Sequence, residues 1–167
     1  ANDILWRHFR NNPDDYKLPK YIAFNYFFNE GDPLQVAKWV RVALLNPEAP
    51  RGLLWLADAA MRDQNKDFGM RARIMCEVCE GAVDKLQREQ TCTQCNYLRY
   101  AEALEEQRQR YVADHGPLTS PADLVRRGYI RELPRDPLGG KWMLDEVGRI
   151  DSSISLNRKN HDLSNNR

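Results

Sequence analysis

The sequence predicts a mainly α-helical protein that ends in a small α+β module, and three observations support this fold class. Apolar residues recur at steps of three and four from residue 1 to about residue 63, which is the period of helices with a buried face. The same steps return over residues 96–113 with charges on the remaining positions, so an amphipathic helix is expected there. After His115, glycine, proline and short apolar runs replace this pattern and indicate turns and a β-hairpin.

The charge balance excludes some classes of partner. The 167 residues carry 25 Lys and Arg against 24 Asp and Glu, a net charge of +1. Bulk attraction to nucleic acid is therefore not expected, and no nucleic-acid partner is predicted.

Apolar runs such as residues 53–60 fall well short of the roughly 20 residues that a membrane-spanning helix needs. The chain opens at Ala1 without methionine, so a signal peptide or membrane anchor upstream of residue 1 is one expectation, and an artificial start is the other.

Glycine and proline divide the first third of the chain into helices. An aromatic-rich helix over residues 16–30 is followed by Gly31, which can close a helix, and by Asp32, which can cap the next one. That helix runs over residues 33–45, and a further apolar helix follows over residues 51–62. Aromatic side chains at helical spacing usually form the core. The side chains expected there are Tyr21, Phe24, Tyr26, Phe27 and Phe28. The tryptophans expected to anchor packed elements are Trp6, Trp39, Trp55 and Trp142.

The residues that end, cap and pack these helices form a recurring pattern. They are Tyr21 to Phe28, Gly31, Asp32, Ala37, Ala43, Leu44 and Pro47. This arrangement resembles one tetratricopeptide repeat, with the following helix opening a second. The resemblance implies stacked helical hairpins whose grooved faces bind other polypeptides. A generic helical bundle is the alternative, since short turns and alternating packing suit both.

The C-terminal third has a distinctive order of short elements. The helix that carries Tyr100 and Tyr111 leads through a Gly-Pro segment to a short helix, the string Leu133-Pro134-Arg135-Asp136-Pro137-Leu138-Gly139-Gly140 and a hairpin. This order resembles the globular end of type II secretion pseudopilins and related pilin-like proteins over residues 102–152. The resemblance implies a shared structural module. Its combination with helical repeats looks like membrane-anchored, exported repeat proteins of bacteria.

Four parts are therefore predicted along the chain. Residues 1–66 form tetratricopeptide-like helical repeats, and residues 67–115 form a Cys-stapled helical connector. Residues 116–151 form a pilin-like short helix and β-hairpin, and residues 152–167 form a flexible polar tail.

The connector holds all four cysteines in the spacing C-x2-C-x12-C-x2-C. They are Cys76, Cys79, Cys92 and Cys95. Two thiolate pairs on tight turns can converge on a tetrahedral site, and zinc is the metal that most often accepts four sulfurs, so we predict that they bind Zn²⁺. Covalently attached haem is not expected, because Glu80 and Asn96 stand where histidine would follow each pair.

Structural disulfides are the alternative to zinc. If the chain is exported, as the resemblance implies, an oxidising compartment favours disulfides. Cysteines at i and i+3 on two antiparallel helices can pair as Cys76 with Cys95 and Cys79 with Cys92. The spacing favours zinc and the compartment favours disulfides, so both stay open.

No catalytic group is predicted, and the expected role is binding. We expect a non-catalytic protein–protein interaction scaffold or accessory subunit of a bacterial envelope or membrane-associated complex, related by resemblance to secretion or pili. Its partners would be other proteins of a larger assembly, and its location extracytoplasmic, either periplasmic or envelope-associated. A redox or metal-dependent enzyme that uses the CxxC pairs is the alternative, and a zinc-ribbon nucleic-acid binder is a weaker one.

Overall fold

The computed structural model describes residues 2–62 and 67–157 of the chain. Over these residues the protein is mainly α-helical with a small antiparallel sheet near the C-terminus, which confirms the fold class at this level. The chain divides into two compact units, Ala1–Asn96 and Tyr97–Arg167. The four-part division by residue range stays a prediction. Within the described ranges, no helix is both long enough and apolar enough to cross a membrane.

Helices make up the first unit. It begins with α1 (Asn2–Asn11) and α2 (Lys17–Asn25), and α2 continues into a π-helical turn at Tyr26–Glu30. The later elements are α3 (Pro33–Leu44), a 3₁₀ turn (Arg51–Leu53) that leads into α4 (Leu54–Arg62), α5 (Phe68–Gly81) and the first part of α6 (Lys85–His115). The bounds of α2 with its π-helical turn, of α3, and of the 3₁₀ turn with α4 follow the predicted helices closely. Helix α6 begins 11 residues before the helix that was predicted over residues 96–113. The end of the predicted repeat region, residues 63–66, lies outside the described residues.

The turn before α3 has the conformation that its sequence predicts. Gly31 has a φ of 65°, in the left-handed region that glycine adopts without steric cost. The Asp32 carboxylate accepts hydrogen bonds of 3.1 Å from the backbone N–H groups of Leu34 and Gln35 and so caps α3. Pro33 lies in the first turn, where its missing N–H has no helical partner to lose.

Helix α3 lies at the centre of the first unit. It packs against α2, α4 and α5. Its buried side chains are Val36, Ala37, Trp39, Val40, Ala43 and Leu44. Buried residues of the neighbouring helices complete this core, among them Ile22, Leu56 and Ile74. Removing these apolar side chains from water is the main stabilising contribution to the unit.

The end of α5 passes very close to α3. A methyl group added at Gly81 would lie 2.7 Å from the Arg41 carbonyl oxygen and 2.9 Å from Arg41 Cα, so only glycine leaves room for this approach. The Arg41 guanidinium donates a hydrogen bond of 2.9 Å to Glu77 and lies 3.7 Å from a Glu80 carboxylate oxygen. The bond to Glu77 raises the pKa of Arg41 above its usual value. A close backbone contact and ion pairs therefore hold α3 and α5 together.

The second unit consists of the rest of α6, the short helix α7 (Ala122–Arg126) and a β-hairpin. Strand β1 (Trp142–Leu144) pairs with β2 (Ile150–Ser152) in antiparallel fashion, with Met143 opposite Asp151. The small sheet was predicted from the sequence and is confirmed. Residues 153–157 form a helical turn after β2, and residues 158–167 of the predicted polar tail lie outside the described part of the chain.

Buried carboxylates hold the second unit together. Asp136 accepts hydrogen bonds from two backbone N–H groups of its own loop and a bond of 2.6 Å from the Ser152 hydroxyl. Asp151 is 1% exposed and accepts hydrogen bonds from the Tyr97 hydroxyl and the Ser152 N–H. Because a buried carboxylate is costly unless it is hydrogen bonded, these bonds specify how the loop lies against β2.

Candidate functional site

The four cysteines lie on facing sides of α5 and α6. Cys76 is bonded to Cys95 and Cys79 to Cys92, with Cα–Cα distances of 4.8 and 4.9 Å. Residues three apart in a helix lie on the same face, so each CxxC pair presents both sulfurs to the opposite helix. The pairing is the one given above for the disulfide alternative.

The predicted zinc site at Cys76, Cys79, Cys92 and Cys95 is wrong. All four sulfurs are bonded in pairs, so none is a thiolate that can bind a metal. In the ranges that the structure describes, no group of three or more His, Cys, Asp or Glu side chains is placed to hold a metal ion. The zinc prediction put the cysteines on tight turns that converge on a point. They lie instead within regular helices, where the sulfurs face each other across a hairpin.

The disulfides define the chemistry of the hairpin. Two such bonds indicate an oxidising environment outside the cytoplasm. Cys95 is buried, and the other three cysteines are half-buried. The bonded residues are 19 and 13 positions apart in the chain. Closing one loop of this length in the unfolded chain stabilises a protein by about 3 kcal/mol. The Cys79–Cys92 loop lies inside the Cys76–Cys95 loop, so the two contributions are not additive.

A cluster of aromatic rings lies at the surface where α2 and its π-helical turn meet α4. We call this cluster the aromatic face, and it consists of Phe24, Phe27, Phe28 and Trp55. The ring centroids of Phe27 and Phe28 are 4.9 Å apart, and Trp55 lies 6.1 Å from Phe27 and 6.2 Å from Phe24. Phe28 is 67% exposed and Trp55 is 47% exposed. Rings in contact therefore form a continuous apolar surface.

The core position predicted for the aromatic residues of this segment is wrong. None of the five is buried; they are Tyr21, Phe24, Tyr26, Phe27 and Phe28. The core side of α2 is occupied by Ile22 and Ala23. The π-helical turn that follows also departs from the α-helical period on which the prediction depended. Tyr21 and Phe28 are exposed as a result, and Phe24, Tyr26 and Phe27 are half-buried.

A cavity of about 280 Å³ opens beside the aromatic face. Its lining includes Phe27, Phe28, Pro33, Val36 and Ala60. Contiguous exposed apolar surface is uncommon on a soluble domain and marks interaction sites. The cavity can therefore take an apolar side chain of a bound molecule.

Two charged groups, one on α2 and one at the cavity, already have neighbours. The Lys20 ammonium lies 4.7 Å from the centre of the Tyr21 ring. The Asp32 carboxylate at the cavity is engaged in capping α3. Both charged groups are therefore already engaged within the first unit.

The four tryptophans contact neighbouring elements, but only two of them are buried. Trp39 on α3 and Trp142 on β1 are buried, and the indole N–H of Trp142 donates a hydrogen bond of 2.8 Å to the Pro134 carbonyl oxygen. Trp6 contacts Trp39 and Trp55 contacts Phe27, but both remain about half exposed.

Comparison with known proteins gives no match. No family model fits the chain, and no significant similarity to a curated protein or a solved structure is found. The fold and the site define a mainly helical, disulfide-linked protein with an exposed aromatic face.

Proposed function

We propose that this protein is a non-catalytic interaction scaffold or accessory subunit, and that its aromatic face binds a segment of another polypeptide. The exposure of Phe28 and Trp55 on neighbouring helices beside an open cavity carries the proposal. Aromatic side chains provide large contact areas at a low entropic cost and dominate the energetics of many protein interfaces. A bound apolar side chain in the cavity would cover rings that are now in water.

A tetratricopeptide-like arrangement supports this role. The helical segments that begin at Lys17, Arg51 and Lys85 start 34 residues apart, which is the period of tetratricopeptide repeats. Small side chains at Ala23, Ala57 and Thr91 are buried with the same period. Stacked repeats of this kind present grooved faces that hold a helix or an extended peptide. The aromatic face joins α2 and α4, the first helices of two successive repeats in this arrangement.

We further propose that the protein works in the bacterial envelope, in the periplasm or in a membrane-associated complex related to secretion or pili. The resemblance of residues 102–152 to pilin-like proteins supports this location, and so does the order of α7 and the β-hairpin. The disulfides suit an oxidising compartment.

A redox enzyme, the alternative function, would need an accessible thiol of low pKa. Each CxxC pair is bonded to the other pair and not within itself, so neither forms the internal disulfide of a dithiol redox motif. Rapid alkylation of a single cysteine under native conditions would favour the enzyme over the scaffold.

Site-specific photo-crosslinking tests the proposed binding surface. A photoreactive phenylalanine analogue at position 28 is expected to form a covalent adduct with one partner protein in native membranes and envelope extract. The same analogue at Tyr100, an exposed aromatic residue of the second unit, is the matched control and should not capture that partner. Equal capture at both positions, or none at position 28, would contradict the proposal.

A further inference from the structure

Helix α1 covers a second apolar surface of the first unit. The rings of Trp6 and Phe9 contact the buried Trp39 of α3 with centroid distances of 5.4 and 6.0 Å. Both contacts are edge-to-face, with interplanar angles of 77° and 85°. Trp6 and Phe9, which lie three residues apart on α1, therefore both pack against Trp39.

The contact of α1 with this surface is shallow. No residue of α1 is buried, whereas α3 beneath it buries half of its side chains. Trp6 is 44% exposed although its ring contacts Trp39. Among the described residues, the Asn2 side chain links α1 to α2 and its π-helical turn through hydrogen bonds of 2.8 Å with Asn25 and Glu30. A ten-residue helix is marginal by itself in water, so α1 depends on its packing against α2 and on its ring contacts with α3.

The fit beneath α1 is also incomplete. A cavity of about 340 Å³ remains between α1, α2 and α3. Its apolar lining includes Trp6, Phe9, Ile22, Tyr26 and Trp39. Asp3 of α1 and Lys38 of α3 lie at the same cavity. The surface on α2 and α3 is thus larger than the helix that covers it.

We propose that this surface of α2 and α3 is a binding site for an amphipathic helix of a partner protein. In the free protein α1 occupies this site, and the partner helix displaces it. The chemistry of α1 defines the partner: an acidic residue and two large aromatic residues at successive steps of three, as in Asp3, Trp6 and Phe9. In a bound partner helix the aromatic pair would contact Trp39, and the acidic residue would lie near Lys38. A longer helix would also fill the cavity that α1 leaves open. This site rests on the proposed scaffold function. Its test is independent of the test of the aromatic face.

A peptide of residues 2–12 with blocked ends and a fluorescent label tests the proposal. Fluorescence anisotropy would measure its binding to the full chain and to Trp6→Ala/Phe9→Ala. Because α1 competes with the peptide for one surface, the double variant should bind at least about tenfold more tightly than the unchanged chain. Adding Trp39→Ala to the double variant should remove the binding. Arg7→Ala/Arg10→Ala, which changes two exposed residues of α1, is the matched control and should bind as weakly as the unchanged chain.

Other outcomes overturn the inference. Equal affinity of the unchanged chain and the double variant, or no binding to either, would show that α1 does not occupy a binding site. A peptide-free dimer of the double variant on size-exclusion chromatography would mean that a second copy is the occupant. Phe28→Ala/Trp55→Ala should leave the peptide affinity of the double variant unchanged, which separates this site from the aromatic face.

Hydrogen exchange on the unchanged chain gives a second measurement that needs no substitution. Amides of α1 should exchange at least about 100-fold faster than those of α3, because local opening of α1 exposes little buried surface. Equal protection of the two helices would contradict a displaceable α1.

Discussion

The hydroxyl of Tyr97 donates a hydrogen bond to the carboxylate of Asp151, which lies 54 residues further along the chain. Both side chains are buried. The bond therefore links the start of the second unit to its last strand where water competes little for either group.

Replacing Tyr97 by phenylalanine should lower the free energy of unfolding by about 2 kcal/mol, because a buried carboxylate loses a donor. Urea denaturation measures the loss. Tyr100→Phe is the matched control on an exposed part of α6 and should change stability by less than about 0.5 kcal/mol. Equal effects of the two substitutions would show that the bond to Asp151 contributes nothing.

The disulfide between Cys79 and Cys92 should be a main source of stability in the first unit. Cys79→Ser/Cys92→Ser is expected to lower the free energy of unfolding by about 3 kcal/mol, because the unfolded chain regains the freedom of a closed loop. Cys76→Ser/Cys95→Ser should have a similar effect, and chemical denaturation compares both with the unchanged chain. Added Zn²⁺ should leave the Tm of the oxidised chain unchanged, and a rise would argue against the disulfides.

The contact between Gly81 and Arg41 gives a further prediction. Gly81→Ala would force a methyl group into the backbone of α3 and should lower the free energy of unfolding by about 2 kcal/mol. Gly52→Ala is the control, because no atom lies within 4 Å of a methyl group at that position. Thermal unfolding compares the Tm of the two variants. If Gly81→Ala is as stable as Gly52→Ala, α3 and α5 lie further apart than the structure shows.

Acid should weaken the second unit through Asp123. A hydrogen bond from Arg126 lowers the pKa of this carboxylate, and bonds from Thr119 and Ser120 add to the effect. The stabilisation is fully present above the ordinary pKa of 3.8 and is lost as the pH falls through the lower pKa of the folded state. The pKa of Asp145 is also below its ordinary value. Burial raises this pKa, but hydrogen bonds from Arg149 and Val147 lower it by more.

Chemical denaturation of the full chain at several pH values tests the predicted direction in which the stability of the second unit changes with pH. Stability should stay level from about pH 7 to pH 5 and fall below about pH 4. Asp123→Asn should reduce that fall, whereas Glu132→Gln, at an exposed position, should not. An unchanged fall in the Asp123→Asn variant would contradict the role given to this carboxylate.

Much of the fold could be predicted because local signals agree with the tertiary packing. Gly31 and Asp32 mark the start of α3 in the sequence, and both have the predicted role in the structure. Gly116, with a φ of 83°, follows the last residue of α6. At such positions steric freedom and side-chain capping decide the backbone without help from distant residues.

The site was harder to predict because it depends on contacts between distant residues. Spacing alone cannot distinguish cysteines that converge on zinc from cysteines that face each other across two helices. The exposure of Phe28 follows from the π-helical turn and from Ile22 occupying the core, and neither leaves a signal in the sequence. The role of Asp136 did have a signal, since aspartate before Pro-x-Gly-Gly is typical of a turn that its own side chain caps.

The affinity of the captured partner for the aromatic face tests the central proposal most directly. Isothermal titration calorimetry with the protein that crosslinks at position 28 should give an affinity at least about 30-fold weaker for Phe28→Ala/Trp55→Ala than for the unchanged chain, because the two rings would form the centre of the interface. Tyr100→Ala should bind as the unchanged chain does. An unchanged affinity of the Phe28→Ala/Trp55→Ala variant would contradict the account.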